Sequence, residues 1–252
     1  MPFFEWRGRR LFYRERGAGD LLLVLPGNTA SSACHEGELA YWADRWRVVA
    51  LDFLGTGGSD RVSVWADDWY EQGAHQAAAL VDHLDCSRCV VMGTSGGAVV
   101  ALLMAALYPA RVRAVIADSF GASFPAERVQ ADVVENRAQR TPGQIAFWEA
   151  AHGADWEQVV EADTTMLVRL AECSGDWFGE RLGQVCCPVL ITASREDELL
   201  PDAGQQACAV AERIADCRFF VNSAGGHPLM WSRPQDFHAI SDWFLGTLGA
   251  SL

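Results

Sequence analysis

Lysine is absent: all 20 basic side chains in the 252 residues are arginines. Schiff-base catalysis, a phosphate-loop lysine and a Ser-Lys dyad are thereby excluded, since each needs a primary amine. Positive charge is scarce altogether, with 33 acidic residues and a formal net charge of −13. That balance argues against nucleic acid and anionic membrane surfaces as partners. Long apolar runs are missing too. None approaches the roughly 20 residues of a membrane span, and residues 1–16 are interrupted by charges, unlike a secretory leader. No internal repeat or low-complexity tract is visible. Half the residues are hydrophobic, which excludes a disordered chain, and the length suits one large domain with room for an insertion.

Cysteine, by contrast, is plentiful at eight residues. Cys86 and Cys89 lead into an apolar run, and Cys186 and Cys187 are adjacent before another. Zinc needs a second close ligand pair, which the spacing does not supply. The thiols therefore read as core filling, in a reducing and cytoplasmic setting, with no metal and no cofactor.

The chain alternates between two kinds of segment. Residues 3–16 read as a hairpin turning at Arg7-Gly8-Arg9. Apolar runs at 21–25, 47–51, 89–93, 112–117, 189–193 and 218–221 read as buried strands. Helical patterns lie between them at 32–43, 67–84, 96–107, 202–215 and 235–247. Strands alternating with helices predict a mostly parallel sheet with helices on both faces, and ligands in such sheets bind beyond the strand C-terminal ends. Residues 121–184 break the rhythm with helix-like stretches and no strand. They predict a helical cap (121–184) inserted into a core formed by 1–120 and 185–252, with extra helices packed on a flank as the alternative. Trp148, Trp156, Trp177 and Phe178 of this segment are candidates for the pocket wall, with the tryptophans equally candidates for the core of the cap.

Gly93-Thr94-Ser95-Gly96-Gly97 stands between a strand and a helix. A serine in this Gly-x-Ser-x-Gly setting is lifted above the sheet by a sharp turn, and Gly93 and Gly97 must lack bulk for the turn to close. Acyl transfer by serine also needs a base, an acid to orient that base, and donors for the developing oxyanion. Of six histidines, only His227 occupies a glycine-flanked loop after a strand, which makes it the base. His35, near the loop after the third strand, is the weaker rival. Asp197, beyond the 189–193 strand, is the acid, with Glu196, Glu198 and Asp118 as chemical alternatives. The backbone N–H groups of Asn28 and Gly96 are the candidate oxyanion donors, with Asn28 alternatively only a turn residue; a backbone donor does not need a special side chain. The loop from Asp52 to Asp60 lacks the lysine and glycine spacing of a phosphate loop and reads as a rim of the site.

Pro26-Gly27-Asn28, the Asp52–Asp60 loop, the Ser95 elbow, Asp197 with Pro201, and Gly226-His227 together resemble the α/β-hydrolase superfamily from residue 3 to 248. The resemblance implies an α/β fold: an eight-stranded, mostly parallel sheet with an antiparallel hairpin at one end and a cap after the sixth strand. The helical cap, with the segment from Arg181 to Pro188 leading back to the sheet, is most similar to valacyclovir-hydrolase-like esterases. Those carry an acidic residue after the nucleophile to hold a substrate amine, where this chain has Gly96. Haloalkane dehalogenases and epoxide hydrolases use an aspartate where this chain has Ser95. Ring-cleavage carbon–carbon hydrolases often carry an aromatic where it has Pro228. The implied activity is cofactor-free serine hydrolysis of a small, apolar ester or related acyl substrate, by a monomer or homodimer. Carbon–carbon hydrolysis, lactone opening or perhydrolysis on the same triad are alternatives, as is a ligand-binding sensor with vestigial hydrolysis.

Overall fold

The computed structural model describes residues 2–173 and 176–248. Eight strands form one sheet: β1 (Phe3–Trp6), β2 (Arg9–Arg16), β3 (Leu21–Leu25), β4 (Arg47–Leu51), β5 (Cys89–Thr94), β6 (Val112–Asp118), β7 (Val189–Ser194) and β8 (Cys217–Asn222). Their spatial order is β1-β2-β4-β3-β5-β6-β7-β8. The hairpin pairs antiparallel, and β2 joins β4 antiparallel through Tyr13 opposite Leu51. From β4 to β8 every pairing is parallel.

β3 is apolar at every position, and the interiors of its neighbours nearly so, because the sheet is covered on both faces. Side chains alternate along a strand, so Leu21, Leu23 and Leu25 enter one core while Leu22 and Val24 enter the other. The first core is closed by α2 (Trp69–His83) and α3 (Gly96–Leu107). The second is closed by α1 (Glu36–Trp42), which contributes Leu39 and Trp42, and by the C-terminal helix, which contributes Phe237, Phe244 and Leu245. α3 is buried along almost its whole length, and accordingly every residue in it is apolar or glycine.

The segment between β6 and β7 is helical. It holds α4 (126–138), whose central Val129–Glu135 stretch has π-helical bonding, then α5 (Pro142–His152) and α6 (Trp156–Cys173). Thr141 and Gln144 start α5 with a reciprocal capping box. Trp148 and Trp156 stack at 5.2 Å and, with Val160, form a small core belonging to the insertion itself. After β7 come α7 (Ala203–Ala211), β8, the short α8 (Leu229–Ser232) and α9 (Pro234–Thr247). No helix among the described residues is long and apolar enough to cross a membrane. All eight cysteines are free thiols. Cys89 and Cys187 are buried as core filling requires, but Cys173, Cys186 and Cys208 are exposed, so that reading holds only in part.

His35, just before α1, is fully buried, and neither ring nitrogen has a hydrogen-bond partner. Burial pushes its pKa down to about 4. An unfolded chain takes up this proton near pH 6.5, so the stability is present above that pH and is lost as pH falls toward 4, by at most about 3 kcal/mol. His35→Phe keeps the ring packing against Trp231 and removes the titration. The variant should lose less of its melting temperature than the wild type between pH 7.5 and 5. Equal losses would show that His35 does not govern the acid limb.

Candidate functional site

The strand C-terminal ends converge on a cavity of about 280 Å³, at the small end for a ligand site. Its floor holds Gly27 and Asn28 after β3, Ser95 and Gly96 after β5, Phe120 after β6, Leu199 and Leu200 after β7, and His227 after β8. Val133, Phe147, Trp148, Leu167 and Trp177 of the insertion form the roof.

Ser95 occupies the turn from β5 into α3 at φ +53°, a conformation rare outside glycine. The turn is crowded by backbone. A Cβ on Gly93 would stand 2.2 Å from the Gly97 carbonyl oxygen, and one on Gly97 would stand 2.0 Å from that of Leu25. Both positions therefore demand glycine. At Gly96 a Cβ would lie 2.0 Å from Asn28 Oδ1, so an acidic anchor after the serine has no room here. Among the described residues, neither the Asn28 nor the Gly96 N–H donates to a protein acceptor, and both residues line the cavity beside Ser95.

His227 Nδ1 and Asp197 Oδ2 are 2.8 Å apart. The other oxygen of the Asp197 carboxyl accepts from the Leu199 and Leu200 N–H groups at 3.0 and 2.8 Å, so the group is wholly buried yet fully bonded. With the carboxylate facing Nδ1, that nitrogen carries the proton and Nε2 is left as the basic lone pair. The rival acids have other work. Glu198 accepts from the His227 backbone N–H at 2.9 Å, while Glu196 is exposed. Asp118 lies behind the site and ties three segments together. It accepts from Thr192 Oγ1 at 2.6 Å, Ser119 Oγ and Thr94 Oγ1 at 3.2 Å, and the Met230 N–H at 3.0 Å. Burial pushes its pKa up to about 6, against the pull of the Thr192 and Met230 bonds and of His227.

Three expectations need correction. The Asp52–Asp60 loop does not reach the cavity wall. Asp52 instead accepts from the Ser32 and Gly58 N–H groups at 2.6 and 2.7 Å, bracing the loops behind the site. Trp148 and Trp177 line the cavity, but Trp156 and Phe178 are packed behind it. The Asn28 side chain is committed on both sides: Oδ1 accepts from Tyr70 at 2.9 Å and Nδ2 donates to Asp163 at 2.5 Å. Sequence reasoning also missed Trp231, one helical turn beyond His227, and Arg137, both of which line the cavity. The charges in the wall are paired within the protein: Arg137 bonds Asp163 at 2.7 Å, and Asp132 bonds Arg128 at 2.5 Å.

Asp118→Ala would strand the buried Met230 N–H and the Thr192 hydroxyl without acceptors. We expect destabilisation of roughly 3 kcal/mol or more, read as a lower urea midpoint. An unchanged midpoint would show that the loop after β8 does not depend on this carboxylate.

Comparison with known proteins then sets this architecture among its relatives. Over 233 residues the chain is 28% identical to a Pseudomonas syringae pv. syringae protein named as a carbamate hydrolase (RutD), covering 82% of this chain and 89% of that one. It is 33% identical over 120 residues to 2-(acetamidomethylene)succinate hydrolase of Mesorhizobium japonicum, covering 47% of this chain and 42% of the relative. The crystal structure of a hydrolase from Pseudomonas aeruginosa PA01 superposes with a TM-score of 0.78 at 22% identity, covering 97% of each chain. The profile of the alpha/beta hydrolase family matches residues 22–240, and on that span the chain belongs to this family of hydrolases.

Proposed function

We propose that the protein is a serine hydrolase of small, uncharged esters. The observation that carries this reading is the convergence of Ser95, the Asp197-bonded His227 and two uncommitted backbone N–H groups on one cavity.

In the first half-reaction His227 Nε2 takes the Ser95 hydroxyl proton as Oγ adds to the ester carbonyl carbon. The negative charge that develops on the carbonyl oxygen is met by the Asn28 and Gly96 N–H groups. Such donors, fixed before the reaction, stabilise the transition state without reorganising. Asp197 holds the imidazole in the required tautomer and stabilises the imidazolium. His227 then gives its proton to the leaving alcohol as the carbon–oxygen bond breaks, leaving an acyl-serine. In the second half-reaction water repeats the attack, and the acid and Ser95 are released.

The substrate class follows from the wall. The roof is aromatic and aliphatic, and among the described residues the charged side chains facing the cavity, Asp132 and Arg137, are already neutralised by their own partners. A charged substrate would be desolvated there without an unpaired counter-ion. Carbamate hydrolysis, named for the Pseudomonas syringae relative, uses the same acyl chemistry and belongs in the first substrate panel.

Steady-state hydrolysis of p-nitrophenyl esters tests this reading. Butyrate should be turned over faster than octanoate and faster than a hemisuccinate or an amino ester of similar size. Ser95→Ala should lower kcat by at least about 10⁴-fold. Activity that survives the substitution removes Ser95 from the mechanism. Gly96→Ala should fold and yet lose roughly 10²–10³ in kcat, the usual effect of spoiling one oxyanion donor. Wild-type turnover in Gly96→Ala would show that the turn can yield to the added methyl.

A further inference from the structure

The turn from Gly27 to Ala30 is closed by the Ala30 N–H bonding the Gly27 carbonyl at 3.1 Å. Thr29 is held at φ +55°, a region that branched side chains seldom enter. The core alone does not hold this turn, because the insertion grips it at Asn28 and Thr29 and again at Ser31, just beyond it. Asp163 on α6 accepts from Asn28 Nδ2 at 2.5 Å. His152, the last residue of α5, bonds the Thr29 carbonyl through Nε2 at 3.0 Å. Ser31 Oγ donates to the Ala151 carbonyl at 2.8 Å. The His152 tautomer is set by its other nitrogen: Nδ1 accepts from the Gly57 N–H at 3.0 Å, so the proton is on Nε2.

Asp163 has no exposure at all. One of its oxygens takes the Arg137 guanidinium, which is enough to neutralise it, and the other reaches Asn28, 135 residues away in the chain. With Tyr70 on the opposite side, both ends of the Asn28 amide are fixed. Rotation of the Asn28 peptide away from the cavity would have to break these bonds.

Taking the serine-hydrolase reading as given, we propose that Asp163 and His152 are positioning residues of the oxyanion site. They act through the Gly27–Ala30 turn to hold the Asn28 N–H toward the oxygen that becomes charged. Neither lines the cavity, so neither touches the reacting atoms. The insertion thus completes the oxyanion site from outside the core as well as roofing the cavity.

The test uses Asp163→Asn, Asp163→Leu and His152→Phe, assayed with p-nitrophenyl butyrate well below each melting temperature. Two inhibitors accompany it. A 1,1,1-trifluoro-2-ketone takes up the Ser95 hydroxyl across its carbonyl, forming the Oγ–carbon bond and passing the proton to His227, which leaves an oxyanion. The matching methyl ketone fills the cavity without that charge. The expected result for Asp163→Leu is a loss of roughly 10²-fold in kcat with KM held within about threefold. Trifluoroketone affinity should fall by the same factor as kcat/KM while methyl ketone affinity holds. Asp163→Asn, nearly isosteric, should lie between Asp163→Leu and wild type, and His152→Phe should follow the same pattern. Folded Asp163→Asn and His152→Phe with wild-type kcat overturn the proposal, and so does an equal loss of affinity for both ketones. A wild type indifferent to the trifluoroketone and still active as Ser95→Ala overturns the serine reading beneath it, and the proposal with it.

Discussion

Everything at this site depends on the close approach of two backbones, where the turn after β5 presses against the end of β3. The Gly97 backbone lies so near the Leu25 and Pro26 carbonyls that no side chain fits between them. That contact sets the exit angle of α3, lifts Ser95 out of the sheet and brings Asn28 beside Gly96. Packing of apolar strands supplies the rigidity, but the absence of side chains at three positions supplies the geometry. A close-packed interior transmits small displacements, so a shift at this crossing would move the serine and both backbone donors together.

Buried carboxylates act as the other fixed points. Asp52, Asp118, Asp197 and Asp163 are each shielded from solvent, and each accepts hydrogen bonds from at least two separate parts of the chain. Asp118 ends β6, and Asp52 and Asp197 follow β4 and β7, where loops leave the support of the sheet. A buried carboxylate suits this task because it accepts several bonds and offers no donor that could pair wrongly. The acidic composition therefore has an internal use in addition to its effect on surface charge.

Much of this was legible in the sequence, for reasons that differ by element. β3 and β4 show the unbroken apolar runs of strands buried on both faces, and their bounds agree residue for residue with the reading. β8 is less plain because it is an edge strand with half-exposed side chains, so its apolar pattern is diluted. Ser95, Asp197 and His227 stood out because each follows a strand, at the sheet edge where the cavity lies; Ser95 and His227 face it, and Asp197 is buried behind His227. Asp163, His152 and Arg137 carried no such signal. They sit in ordinary helical contexts, and their partners at positions 28, 29 and 163 are distant in sequence or set by how the insertion docks. The side-chain role of Asn28 was invisible for the same reason: only the docked insertion gives it a partner.

On the two longer insertion helices, the residues that shape the cavity and those that fasten the insertion are separated by one helical turn. Trp148 faces the cavity and His152 faces the core loops; Leu167 faces the cavity and Asp163 faces Asn28. Shape and attachment are therefore encoded at different positions of the same scaffold. A lineage, or a laboratory library, can recut positions 133, 147 and 167 for new substrates while the fastenings stay in place. The shape of the cavity can change in this protein without the roof coming loose.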